Sequence, residues 1–346
     1  MVAAPAAHFT QMFLEAAEAP DVVARQLSSN NAQAKTIGAR LRKMKPRAVV
    51  TGARGSSDNA ATYAKYLIET KTGIITSSTG LSVASVYATQ PKLDDVLFLA
   101  ISQSGKSPDL LATVQSAKAG GAYVVAVVND SASPLAALAD DVLPLLAMAE
   151  SSVAATKTYL ASVCAIADLV AEWTEDHALA AALQELPDLM RAAWDCDWSE
   201  AATRLTPARD LYTIGRGLGF GAAQEMALKF KETCGLHAEA FSSAEVRHGP
   251  MALVKKGFPA VLLSQRDETR PGLQDLAAKL VATGSDVMIA GFVQAGALSL
   301  PVVAAHPVLE PILMTQSFYR MVDSLALARG FDPDRPPNLN KITETR

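Results

Sequence analysis

Short apolar runs alternate with amphipathic stretches along most of the chain, and the two patterns predict strands and helices in turn. Helices are predicted after Pro108 and over about 153–173. Such alternation with short connections is typical of a parallel sheet with helices on both faces, so the predicted fold class is α/β. In the first half, the predicted strands lie at 47–51, 73–77, 95–101, 123–128 and 142–146.

The order of predicted elements repeats in the second half of the chain. The strand at 211–214 matches the strand at 48–51, and a glycine follows both, at an offset of 163 positions. The strand at 261–265 matches 99–103 in the same way, and two further pairs follow in order. An offset that stays nearly constant over four pairs indicates an internal repeat. The chain is therefore predicted to contain two copies of one α/β unit, joined around 178–197.

The repeat gives a domain plan. Before the first strand, two amphipathic helices are predicted at 9–27 and 31–43, because the polar cluster 28–30 reads as a break between them. We predict, in order, an N-terminal helical arm, a first α/β domain, a second α/β domain and a C-terminal tail, at 1–44, 45–180, 181–332 and 333–346.

Composition narrows the function classes. Half of the 346 residues are hydrophobic and 19% are charged, which is typical of a globular protein. A net charge of −4 without a basic stripe disfavours nucleic-acid binding, and no long apolar span or signal peptide is recognised. Cys164, Cys196 and Cys234 are widely spaced and form no metal or redox motif. We expect a cytoplasmic protein without a metal or other cofactor.

A charged stripe occurs in the second half. Glu225, Lys229 and Glu232 are spaced by four and three residues, so they lie on one face of the helix predicted there. The simplest interpretation is a solvated face with ion pairs worth a few tenths of a kcal/mol each. The alternative is a functional group of charges, and the stripe alone does not decide between them.

A hydroxyl-rich loop occurs only in the first half. It follows a strand and opens a helix, with Ser107 as the predicted N-cap and Pro108 at the first helical position. Free backbone N–H groups and the helix dipole attract an anion there, and ligands of open α/β sheets bind at this end of the strands. The donors would be Ser102, Gln103, Ser104 and Ser107, with Ser56 and Ser57 from the loop after the first strand.

Two sequence motifs are typical of nucleotide-binding sites. The phosphate-binding loop G-x-x-x-x-G-K-[ST] does not occur, whereas 217–222 formally fits the dinucleotide pattern G-x-G-x-x-A. The charged stripe follows on that same helix, and no partner strand ends in an acidic residue, so we disfavour a dinucleotide site. An ordinary capped Ser/Gly turn also remains open for the hydroxyl-rich loop.

Several strings in order resemble one family. They are I-S-Q-S-G at 101–105, V-A-x-T-K at 153–157, E-x-A-L-K-x-K-E at 225–232, H-A-E-A at 237–240, E-V-R-H-G-P at 245–250 and P-N-L-N-K at 337–341. These residues resemble the sugar isomerase (SIS) family, and within it the isomerase domains of glutamine–fructose-6-phosphate aminotransferases. The resemblance covers nearly the whole chain and implies two tandem SIS domains.

The resemblance implies a role for each matching residue. Glu232 would shuttle a proton between C1 and C2 of an open sugar, and His248 would open the sugar ring from the neighbouring subunit of a homodimer. Lys341 would form a Schiff base with a ketose carbonyl, and Glu225 and Lys229 would support the site. The phosphate would be held by Ser57, Ser102, Gln103, Ser104 and Ser107, and the sugar would contact Val153 and Ala155.

The sequence also departs from the family pattern. Ala155 stands where a serine is common, Arg247 replaces a lysine, and Ala244 replaces a glycine. The glutaminase domain that supplies ammonia in the aminotransferases is not found in the sequence, so we expect the reaction to run in the opposite sense. Glucosamine 6-phosphate and water would give fructose 6-phosphate and ammonia. The alternatives are another phosphosugar substrate, such as galactosamine 6-phosphate or a sugar–amino acid phosphate, and a non-catalytic sugar-phosphate sensor.

Overall fold

Two parallel five-stranded sheets organise the computed structural model, which describes residues 9–341. The first has the order β2-β1-β3-β4-β5, and the second has the equivalent order β7-β6-β8-β9-β10. The first sheet contains β1 Ala48–Gly52, β2 Thr76–Ser78, β3 Val96–Ser102, β4 Tyr123–Val128 and β5 Asp141–Pro144. The second contains β6 Asp210–Gly215, β7 His237–Ser242, β8 Pro259–Leu263, β9 Asp286–Ala290 and β10 Leu298–Leu300.

Twelve α-helices are assigned in residues 9–341, and short 3₁₀ turns follow β7 at Glu245–Arg247 and Pro250–Leu253. In chain order the helices are α1 Gln11–Ala17, α2 Ala19–Met44, α3 Ser56–Thr72, α4 Ser82–Ser85, α5 Pro108–Ala119, α6 Pro134–Leu138, α7 Lys157–Thr174, α8 His177–Trp194, α9 Ser199–Leu205, α10 Leu218–Cys234, α11 Arg270–Ala282 and α12 Glu310–Ala328. In this part of the chain, no helix combines the length and apolar content needed to cross a bilayer.

The predicted α/β class and the two tandem units are confirmed. Strands β1 and β6, with helices α3 and α10 after them, occupy equivalent places in their sheets. All seven residues of β3 are buried, as expected for a central strand of a parallel sheet that is covered on both faces.

The predicted break between the two N-terminal helices is wrong. The break falls at Glu18, and residues 28–30 lie inside α2. Thr10 caps α1, because its Oγ1 accepts a hydrogen bond of 3.0 Å from the Phe13 N–H, and Pro20 lies in the first turn of α2. The polar cluster stays helical because its side chains find partners, such as the 2.7 Å bond from Asn30 Nδ2 to the Pro144 carbonyl.

The two halves meet where α3 packs against α10. Gly221 makes this contact possible, because a Cβ there would lie 2.7 Å from the Asn59 carbonyl oxygen and 3.0 Å from the Tyr63 nitrogen. Gly219 is similarly crowded, since its Cβ would lie 2.6 Å from Gln265 Oε1. Close packing of α10 therefore accounts for two of the glycines in 217–222. The same contact brings the start of α3 against the charged stripe of α10.

Replacement of Gly221 by alanine tests this contact. The added Cβ must displace backbone atoms of α3, so we expect Gly221→Ala to lower the free energy of unfolding by about 1–3 kcal/mol, although alanine favours a helix. Gly80→Ala is the control, because its Cβ would meet only Val83 Cγ2 at 3.7 Å. Denaturant titrations of both variants measure the effect, and an unchanged Gly221→Ala midpoint would contradict the close contact.

Candidate active site

A cavity of about 370 Å³ opens at the carboxyl ends of β1 and β3. This is the point of the first sheet where the strand order changes direction, and ligands of open α/β sheets bind in that crevice. Ten of the predicted site residues line the cavity, namely Ser56, Ser57, Ser102, Gln103, Ser104, Ser107, Val153, Ala155, Glu232 and Lys341.

The hydroxyl-rich loop lies where it was predicted, directly after β3. Ser102 Oγ accepts a hydrogen bond of 3.0 Å from the Gly105 N–H, which folds the loop into a tight turn. Gly105 has φ +62°, and a Cβ there would lie 2.3 Å from Ser133 Oγ, so glycine is required. Ser107 occupies the N-cap position of α5, but its side chain makes no capping bond. The Ser107 hydroxyl is thus not used for capping, and Ser107 lines the cavity, where its hydroxyl can meet an anion.

The charged stripe of α10 is not a solvated face. Lys229 and Glu225 are fully buried, and Glu232 retains 20% side-chain exposure at the cavity wall. Lys229 Nζ lies 2.5 Å from Glu232 Oε2 and 3.3 Å from Glu225 Oε1, and it donates to Ser56 Oγ at 3.0 Å. The solvated-face interpretation is therefore wrong for the two buried members, because packing of α3 and α12 on α10 removes water from that face.

Glu225 is held from three sides. Its carboxylate accepts hydrogen bonds from Ser56 Oγ at 3.2 Å, Asn59 Nδ2 at 2.9 Å and the Tyr319 hydroxyl at 2.9 Å. Burial, followed by the charge of Glu225, raises the pKa of Tyr319 well above its usual value, so this phenol remains a donor. These bonds fix the Glu225 carboxylate behind the cavity and link α10 to the first turn of α3.

The buried charges of the stripe shift the pKa values of Glu225 and Lys229. Burial raises the pKa of Glu225, and Lys229 opposes that effect. Burial lowers the pKa of Lys229, but Glu225 and Glu232 outweigh burial, and the net pKa lies above its usual value. Lys229 is therefore an ammonium that fixes Glu232 at the cavity wall. Of the three residues, Glu232 alone has the access needed for proton transfer to a bound ligand.

Lys341 reaches into the cavity from the C-terminal tail. Its Nζ donates to the Ser152 carbonyl oxygen at 2.5 Å and to Glu150 Oε2 at 3.3 Å. Glu150 is buried and also accepts bonds from the Thr156 N–H at 2.9 Å and from Thr158 Oγ1 at 2.6 Å. A solvated tail lysine would make no such contacts, so the structure places Lys341 in the site.

His248 is the predicted catalytic residue that this chain does not bring to the cavity. It follows the 3₁₀ turn Glu245–Arg247 and is exposed, and it is not among the residues that line the cavity. A role for His248 in the cavity of a neighbouring subunit stays a prediction.

Other residues of the site were missed by sequence reasoning. Arg54 and Gly55 could have been found, because they follow β1 at the same sheet edge as Ser57. Glu150 and Tyr319 gave no local signal, since their contacts come from segments distant in the chain. The remaining wall residues that were missed are Ile101, Leu110, Thr158 and Tyr159.

The buried ion group makes a stability prediction. Lys229→Met leaves the carboxylate of Glu225 buried without its cation, so we expect a loss of about 3–5 kcal/mol in the free energy of unfolding. The double variant Glu225→Gln/Lys229→Met removes the uncompensated charge and should recover most of that loss. Lys231→Met, at an exposed position of the same helix, is the control and should stay within about 0.5 kcal/mol. Equal stabilities of Lys229→Met and Lys231→Met, measured by chemical denaturation, would refute the ionic assignment.

The chain is similar in sequence and in fold to known proteins. The chain is 34% identical over 316 residues to an isomerizing glutamine–fructose-6-phosphate aminotransferase of Aeropyrum pernix, with 85% of this chain and 50% of that protein covered. The chain spans about half the length of the curated relatives it matches.

Two solved structures are similar over nearly the whole fold. A provisionally named phosphosugar isomerase from Silicibacter pomeroyi DSS-3 matches with a TM-score of 0.90 and 43% identity, over 94% of this chain and 100% of that one. The C-terminal domain of the glucosamine–fructose-6-phosphate aminotransferase of Francisella tularensis matches with a TM-score of 0.86 and 25% identity, over 96% and 100%. The SIS domain model matches residues 41–171 and 204–291, and the chain belongs to the SIS domain family.

Proposed function

We propose that this protein deaminates glucosamine 6-phosphate to fructose 6-phosphate and ammonia. The observation that carries the proposal is the meeting of three chemistries in one cavity. The loop with Ser102 and Ser107 offers neutral phosphate donors, Glu232 offers a carboxylate fixed by Lys229, and Lys341 offers an amine. Relatives are named as isomerizing glutamine–fructose-6-phosphate aminotransferases, and the fructose 6-phosphate in that name is the sugar product proposed here, which supports the choice of substrate.

The proposed steps follow from those groups. The phosphate binds at the N-terminus of α5, and the ring opens to the C1 aldehyde. Glu232 removes the proton from C2 of the amino sugar and returns it to C1, while a second proton passes from the amine nitrogen to O1, which leaves an imine at C2 and a hydroxyl at C1. Water then adds to the imine carbon, both of its protons pass to the nitrogen, and ammonia leaves as C2 becomes the ketone. The products are fructose 6-phosphate and ammonia, with no oxidation or reduction.

Lys229 supports this assignment of Glu232. A general base must lie within reach of the proton that it accepts, and the ammonium 2.5 Å away holds the Glu232 side chain at the cavity wall. Lys341 is the candidate for a transient imine with the ketose carbonyl, for which it must first lose a proton and leave its contacts with Glu150 and Ser152. Both roles belong to the proposal.

One observation favours a second candidate substrate. Ala155 lines the cavity without the serine hydroxyl that is common in the family, so one polar contact to a sugar is missing there. Galactosamine 6-phosphate or a sugar–amino acid phosphate would then be turned over by the same proton transfer. A sensor would bind these compounds at the phosphate loop without turnover.

An ammonia-release assay over a panel of amino-sugar phosphates tests the reaction. We expect glucosamine 6-phosphate to give equal amounts of ammonia and fructose 6-phosphate. Glu232→Gln should lower kcat by about 10²-fold or more, because it removes the proton acceptor, with a smaller effect on KM. Glu185→Gln, at an exposed position of α8, is the matched control and should be unchanged.

Each other result contradicts a named part of the proposal. If glucosamine 6-phosphate releases no ammonia, the substrate assignment is overturned. If another member of the panel releases ammonia, that compound is the substrate instead. Full turnover by Glu232→Gln overturns the role of that residue. Binding of the panel without any turnover identifies a sensor.

We also propose that the working unit is a homodimer in which His248 acts in the partner's cavity. The support is the exposure of His248 outside its own cavity, together with the SIS motif that contains it. Co-expression of differently tagged Glu232→Gln and His248→Asn chains gives a sharp readout. If residues are shared, a mixed dimer has one intact site, so a random mixture should recover about a quarter of wild-type activity. If His248 serves its own chain, the purified mixed dimer will be inactive. If His248 has no role, the His248→Asn chain will be fully active by itself, and either result contradicts the shared site.

A further inference from the structure

Arg54 is a charged residue of the cavity that no motif of the chain drew attention to. It lies in the loop between β1 and α3, where its side chain is 54% exposed and lines the cavity. The next residue, Gly55, has φ +54°, and a Cβ there would meet no atom within 4 Å. The backbone of this loop therefore borders open space next to the guanidinium.

The guanidinium is held in place by a buried carboxylate. Arg54 Nε and Nη2 donate to Asp109 Oδ2 at 3.0 and 2.8 Å. Asp109 is 1% exposed and lies in the first turn of α5, two residues after Ser107. Arg54 follows β1, and this ion pair holds its side chain at the N-terminus of α5, beside the hydroxyl-rich loop.

The ion pair with Asp109 does not use all of the N–H donors of the guanidinium. A guanidinium has five N–H groups in a planar fork, and the two bonds to Asp109 use two of them. Among the described residues that line the cavity, the cations are Arg54 and Lys341, and Lys341 is engaged at Glu150 and Ser152. Lys106, within the hydroxyl-rich loop, pairs with Asp130 at 3.3 Å and does not line the cavity. Positive charge at the cavity wall beside this loop thus comes from Arg54.

We propose that Arg54 is a phosphate-binding residue of this site and that Asp109 is the positioning residue that aims it. The ligand class is a phosphate monoester, with about two negative charges near neutral pH. Serine hydroxyls and backbone N–H groups bind such an ion through neutral hydrogen bonds, whereas an arginine fork adds a charge-assisted contact that is about twice as strong. Asp109 keeps the fork in position before the ligand arrives, so little side-chain entropy is lost on binding.

This inference rests on the proposed phosphosugar ligand, but its test does not need turnover. Inorganic phosphate is the probe, and its dissociation constant is measured by calorimetry at low and high ionic strength. Arg54→Gln should weaken phosphate binding about 10- to 100-fold, as expected for the loss of a charged hydrogen bond. It should also reduce the dependence of binding on salt. Arg54→Lys keeps the charge without the fork and should fall between.

A double variant separates a phosphate contact from simple neutralisation of Asp109. If Arg54 serves only to neutralise that carboxylate, then Arg54→Gln/Asp109→Asn will bind phosphate as the wild type does, which would overturn the proposal. If Arg54 contacts the phosphate, the double variant stays as weak as Arg54→Gln. The double variant also removes the buried charge of Asp109, so it keeps the comparison valid if Arg54→Gln alone is unstable in a thermal melt.

Steady-state kinetics add an independent readout once a substrate is identified. A phosphate contact stabilises the bound substrate and the transition state equally. Its loss should therefore raise KM and leave kcat within about threefold. An unchanged affinity of Arg54→Gln for inorganic phosphate would overturn the inference. A failed ammonia assay, in contrast, would overturn the proposed reaction and leave the phosphate result standing.

Discussion

Burial of the Lys229 ammonium between two carboxylates is the interaction on which the rest of the site depends. A buried charge without partners is costly, so the surrounding chain must supply Glu225 and Glu232 together with the hydroxyl of Ser56. Ser56 begins α3 in the first half, whereas the three charged residues lie on α10 in the second. The ion group therefore fixes one half against the other and orients the exposed member, Glu232, toward the cavity.

The duplicated fold divides the chemistry between its copies. The two copies have equivalent strands and equivalent flanking helices. The hydroxyl-rich loop, however, follows β3 of the first copy, whereas the charged stripe lies on α10 of the second. Each copy alone provides one part of the site. Crowded glycines such as Gly221 allow α3 and α10 to pack closely enough for the two parts to meet. A constraint on helix packing is thereby also a constraint on the geometry of the cavity.

Much of the fold could be predicted because local patterns repeat. The bounds of β4 at Tyr123–Val128 agree with its apolar run, and the repeat identified two tandem units. The break in the N-terminal helices was misplaced because the Asn30 side chain finds its partner, the Pro144 carbonyl, more than one hundred residues away. The positions of Glu150 and Tyr319 in the site escaped prediction for the same reason. Long-range hydrogen bonds leave no periodic trace in a sequence.

The contacts of Lys341 have a consequence for how such a protein can change over evolutionary time. The hydroxyl-rich loop and Glu232 belong to the folded core, whereas Lys341 is attached by a short segment that follows α12 and is secured by one carboxylate and one carbonyl oxygen. Changes in that segment can remove the amine without disturbing either sheet. The cavity would keep its shape, and with it the proposed affinity for a phosphorylated sugar, while losing a reactive group. On the proposed function, catalysis and recognition are separable by small genetic steps at one edge of the molecule, which gives a fold of this kind a direct path from enzyme to receptor.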